Sequence, residues 1–204
     1  MVVNRESKIT IAVGLVAGAT AWVVGYILTY AAAIGDVQAS EDFESLEAAT
    51  GEDLAVEMIG LLFFNAHNVP ADAPQYSVLQ ALDPRHNFIL AEGGSTLVLY
   101  AVPILVLLFA GAIVTRYTQT VRGSVTDAAL TGSIVIVGYL PLVILGTFVF
   151  TVAPGEEAMA PNLLLSIGFA GTFYPLVFGA IGGVIAYFAT RAPRNDSVSE
   201  PNST

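Results

Sequence analysis

Four long stretches of this chain, residues 9–34, 95–115, 128–152 and 161–190, contain no Asp, Glu, Lys, Arg or His. In a helix rising about 1.5 Å per residue, about 20 apolar residues cross the ~30 Å hydrocarbon core of a bilayer. Each stretch is long enough to do so. With 55% hydrophobic and 12% charged residues, the chain is also too apolar for a soluble globule. The expected fold is therefore all-α: a polytopic transmembrane four-helix bundle forming one membrane domain over residues 1–204.

The charge lies elsewhere. Residues 35–94, between the first two stretches, hold eleven acids against one base, Arg85, a net charge of −10 that equals that of the whole chain. This insert is expected to form an external acidic helical cap. Thr50-x-x-Asp53 resembles a capping box and predicts a helix from Gly51 to Asn65, with Glu52 and Asp53 at its positive end. Leu54, Met58, Leu61 and Leu62 fall on one face, and Val56, Ile59, Phe63 and Phe64 widen it. A helix that short, with Glu57 inside, should not span; it should lie on the outer surface of the bilayer or cap the bundle. Residues 71–74 read as a turn, residues 75–82 as further helical turns, and 191–204 as a disordered tail.

The first stretch has a rival reading as a signal peptide, since Arg5 and Lys8 precede it and Ala31-Ala32-Ala33 resembles a cleavage site. Its length exceeds the ~7–15 residues of a signal core, so a retained span is expected. Gly14 and Gly18 there, and Gly179 and Gly183 in the fourth stretch, form small-residue faces through which other membrane proteins could approach closely. Pro161 reads as the first residue of the fourth helix.

Arg5, Lys8, Arg116, Arg122, Arg191 and Arg194 all fall on one side of the four-span arrangement. By the excess of positive charge in cytoplasmic loops, both termini lie in the cytoplasm and the insert outside, in a multi-pass protein of the cell membrane.

Chemistry is sparse. There is no cysteine, no H-E-x-x-H, no G-x-S-x-G and no phosphate-cradling G-x-x-x-x-G-K, and no ionisable side chain within a span. No enzymatic activity, cofactor or metal is expected. The acidic balance argues against nucleic acid as a partner. His67 and His86 read as polar loop residues of the insert. A tyrosine stands just before a proline in three spans: Tyr100 and Pro103, Tyr139 and Pro141, Tyr174 and Pro175. Kinked helices with phenols near the middle of the bilayer could line a small cavity. Two functions are consistent with these features. The leading one is association with other membrane proteins as an accessory subunit or envelope component. The other is transport of an uncharged or weakly charged solute past those tyrosines.

With arginine preferred over the single Lys8, an acidic water-facing loop and Ala/Val/Gly-rich spans, the chain resembles the small four-span membrane proteins of extremely halophilic archaea. The resemblance implies habitat and topology and carries no site residue.

The topology can be checked because the chain lacks cysteine. Single cysteines at Ser45, Ala158 and Ser199 should react with an impermeant reagent in intact cells at the first two positions only. Labelling of Ser199→Cys without Ser45→Cys would invert the arrangement.

Overall fold

The computed structural model describes residues 5–72, 85–86, 89, 98–118, 123–153 and 158–191. Four helices are long and apolar enough to cross a membrane: Ser7–Gln38, Val98–Tyr117, Val125–Val149 and Leu163–Ala189. They match the four uncharged stretches. The residues expected to form further turns at 75–82 and the tail beyond Arg191 lie outside the described residues.

Helix α1 (Arg5–Gln38) runs 34 residues, about 51 Å at about 1.5 Å per residue, longer than the ~30 Å that crossing a bilayer core requires. It gives way to α2 (Glu41–Thr50), which opens on Ser40: the hydroxyl accepts from Phe43 N at 3.2 Å, and Glu41, Asp42 and Glu44 occupy the first turn. Gly51 ends this helix rather than starting the next. Its φ of 72° is the left-handed conformation that closes helices, and its N–H donates to Glu47 O at 2.7 Å. Thr50, already helical, donates its hydroxyl to Leu46 O, so the expected capping box does not form. Helix α3 therefore spans Ala55–Asn65, and its first amides donate to Glu47 and Asp53 carboxylates.

The insert is tied down by a small sheet of β1 (Ala71–Asp72), β2 (Arg85–His86) and β3 (Ala160–Pro161), in the order β2-β1-β3, all antiparallel. Residues 71–72 thus form a strand, not the turn expected. Pro161 lies in edge strand β3, where its missing N–H is tolerated, and is not the first residue of a helix. Asn162 takes that capping role: its side chain accepts from Leu165 N, and it also joins Asp72 Oδ2 and Pro70 O.

Helix α4 (Ala101–Tyr117) carries Pro103 in its first turn, where no intrahelical donor is lost. The third long helix is two helices, α5 (Val125–Ser133) and α6 (Ile136–Val149), broken at Ile134 and Val135. Ser124 and Asp127 form a reciprocal capping box at its start. Helix α7 (Leu163–Ala189) contains a π-helical segment, Ser166–Phe173, ending at Tyr174 and Pro175. Pro175 cannot donate to the preceding turns, and the wider turn accommodates that loss.

Helix α7 packs on α4 and α5, its π segment packs on α6, and α1 packs on α3, α4 and α6. Glycines set these distances. A Cβ at Gly111 or Gly132 would overlap the Gly179 carbonyl, one at Gly183 would overlap Ala128 O, and one at Gly18 would overlap Val135 O. A Cβ at Gly14 would crowd Ile134. The small-residue faces at Gly14, Gly18, Gly179 and Gly183 are thus occupied by other helices of the same chain. At the end away from the insert, Arg191 donates to Gly123 O at 3.2 Å and lies 3.8 Å above the Tyr187 ring.

Gly111→Ala should force α4 from α7 and lower stability by about 1–3 kcal/mol. Gly35→Ala, with nothing within 4 Å of the added carbon in a helical backbone, should be neutral or stabilising. Thermal unfolding in one detergent compares them.

Candidate functional site

The second half of α3 is almost wholly apolar, and residues from Ile59 to His67 are all buried. Helical spacing puts Phe63 and His67 on one face, one above the other. That face enters the space between the long helices. Phe63 packs edge-on to Trp22 of α1 at 5.6 Å, and Phe64 and Val69 join the same core cluster as Val106, Leu107, Tyr139 and Tyr174. Room for this comes from glycines: a Cβ at Gly60 would occupy the Phe150 ring, and one at Gly25 would press on Phe63 at 3.0 Å. Trp22, Tyr26 and Phe150 stack nearly parallel beside it.

His67 is 1% exposed. Its Nδ1 lies 2.7 Å from Phe63 O, and because a carbonyl only accepts, Nδ1 carries the proton. In the neutral ring Nε2 then accepts, and the Tyr139 hydroxyl donates to it at 2.7 Å. Burial lowers the His67 pKa from 6.5 to about 4, the bond to the Phe63 carbonyl opposing the shift, so the imidazole is neutral near pH 7. The ring of Tyr174 lies 5.0 Å from the imidazole. Asn68 turns the chain back with φ 58°, a left-handed conformation that Asn adopts more readily than most residues, and donates to the Tyr174 hydroxyl at 2.8 Å. That hydroxyl lies 3.4 Å from Ala66 O, and Asn65 donates to Val69 O.

Of the six residues singled out for a cavity, Tyr139 and Tyr174 converge on His67. Tyr100 packs on the neighbouring cluster of Ala33, Leu62, Ala66, Ile89 and Leu99. Pro103 and Pro175 are buried within helix contacts, while Pro141 faces outward. His67 was the residue missed, because it sits in the acidic insert; the cue was its place four residues after Phe63, just beyond the apolar run from Met58 to Phe64. Three buried polar atoms lack a hydrogen-bond partner among the described residues: Trp22 Nε1, Glu57 Oε2 and Ser166 Oγ. No group of three metal-ligating side chains occurs among them.

A second feature lies on the outside. A groove of about 840 Å³ runs between α1 and α4, with walls that include Ala12, Val16, Thr20, Leu105, Phe109 and Ile113.

Residues 3–190, which include the insert, the histidine cluster and the groove, match the family described as "Family of unknown function (DUF7978)". The chain belongs to this family. No curated protein and no solved structure matches it. In this DUF7978 member His67 and Asn68 bond the Tyr139 and Tyr174 hydroxyls and so join the end of α3 to α6 and α7.

His67→Leu should leave the Tyr139 hydroxyl and the Phe63 carbonyl unpaired, at about 1–3 kcal/mol for each group that stays dry. Adding Tyr139→Phe should restore part of the loss. A double-mutant cycle on unfolding free energy reads the coupling, and additive losses would show that the bond contributes nothing.

Proposed function

We propose that this chain is a multi-pass membrane protein that works by association, as an accessory subunit or envelope component, and that the partner is an apolar transmembrane helix of another protein seated between α1 and α4. The groove carries this reading. α1 is the least enclosed of the four long helices, with 22% of its most apolar window buried against 44% for the helix of α4. The groove wall runs on α1 from Ala12 to Leu28, about 24 Å at about 1.5 Å per residue and so most of the hydrocarbon thickness. Ala12, Ala17, Ala21 and Ala110 line it, and small side chains allow the close approach on which helix packing in lipid depends.

The transport reading draws on the polar cluster at the centre. Tyr139 and Tyr174 there face packed neighbours and have their hydroxyls paired, which favours association over a solute path. The orientation proposed has Lys8, Arg116 and Arg191 in the cytoplasm and the insert outside, following the positive-inside rule. The salt-adapted habitat rests on the composition of the insert.

The test is a photo-reactive phenylalanine analogue placed at Val16 or Phe109 in the groove, and at Leu145 or Leu164, which are exposed elsewhere. Irradiation of native membranes should give one discrete protein adduct from the groove positions and none from the others. Lipid adducts alone, or an adduct of twice the chain mass, would overturn the proposal.

A further inference from the structure

The end of α3 is held between α6 and α7 by contacts made to a buried imidazole that is neutral near pH 7. Tyr139 donates to Nε2, and protonation would place a second N–H where that donor points. The titratable groups touching the ring are Tyr139 from α6 and Tyr174 from α7, both without charge near pH 7. From α3 itself comes Phe63, and α1 contributes Trp22 and Tyr26, which touch Phe63. α4 brings the apolar Val106 and Leu107 to the same core. Glu57, the acid within α3, stands ten residues earlier in the chain. No described carboxylate bonds the imidazole, so its charge would be uncompensated in a dry site.

Asn68, in left-handed backbone near the end of the segment, is exposed beside the buried Tyr174 hydroxyl. We infer that the end of α3 is a proton-released latch: protonation of His67 frees Phe63 to Val69 from between the long helices and uncovers the Tyr139 and Tyr174 hydroxyls from the insert side. This does not depend on the groove or its partner. The sign is set by burial. A histidine whose folded pKa is lowered, here from 6.5 to about 4, holds the latch fully above pH 6.5 and loses it as pH falls toward 4.

Trp22 is the single tryptophan and touches Phe63, so its exposure reports the latch. In nanodiscs, acrylamide quenching of Trp22 should rise as pH is lowered from about 7.5 to about 3.5, with helicity unchanged. His67→Gln, which can still donate and accept but cannot titrate, should abolish the rise. Tyr139→Phe, which removes a bond to the neutral ring, should move the midpoint up by roughly half to one pH unit. Glu57→Gln should leave the transition in place. Unchanged quenching in the wild-type chain, the same transition in His67→Gln, its loss in Glu57→Gln, or helix loss at the same midpoint would each overturn the latch. If His67→Gln fails to fold, the direction of the Tyr139→Phe shift decides alone: an upward shift supports the latch and an unmoved midpoint overturns it.

Discussion

The fold depends on one close approach of backbones. α7 touches α4 and α5 where Gly179 meets Gly111 and Gly132, and where Gly183 meets Ala128. Between helices in lipid, tails are as apolar as side chains, so association rests on van der Waals packing and on hydrogen bonds across the contact. Both occur here. The glycines bring the backbones together, and the Thr115 hydroxyl bonds Ala128 O at 3.2 Å across the α4–α5 contact. A second set, Gly14, Gly18 and Gly138, brings α1 against the third long helix. The groove lies beside these contacts, between α1 and α4.

The insert uses the same principle at the other end. A helix of 11 residues is marginal alone, so α3 must be held by burial. Gly60 admits the Phe150 ring, Gly25 admits Phe63, and the sheet of six residues in three short strands fixes the chain on either side. The polar groups at the C-terminal end of α3 are satisfied on arrival: Asn65 by Val69, Asn68 by Tyr174, and His67 by Phe63 and Tyr139. Dense acids remain on α2, where Phe43 is the one buried residue.

The long helices were legible because absence of charge over 20 or more residues has few other meanings. Their ends were less so. The same Ser/Thr-x-x-Asp pattern forms a true box at Ser124 and Asp127 but not at Thr50 and Asp53, because Gly51 could take a left-handed conformation and end a helix there. Pro161 fits a helix start and an edge strand equally, and pairing with Ala71 decided between them. The small-residue faces were visible, but a glycine stripe does not say whether its partner is in the same chain. His67 was hidden by its neighbours in sequence: an acidic segment reads as solvated, and only the packing of Phe63 and Phe64 on α1 carries the next few residues inward. Tyr139 and Tyr174 were singled out together with Tyr100 as residues that could line a cavity, whereas the groups they meet come from 72 and 106 residues away.

The π segment explains how α7 serves two sets of neighbours. Its upper half, Ser166–Phe173, buries Ser166, Ala170 and Gly171 toward α6, whereas the regular half turns Gly179, Gly182 and Gly183 toward α4 and α5. An α-helix keeps one stripe in line along its length; a turn closed by i→i+5 bonds takes about one more residue and rotates the rest of the helix about its axis. Pro175 stands where the two halves join. Its missing N–H removes the donor that would otherwise favour regular bonding there. The rotation brings Tyr174 to the side where Asn68 and His67 arrive, while the glycines below it still face their partners. The irregular backbone of α7 is thus what lets the bundle pack tightly at one end and receive the insert at the other.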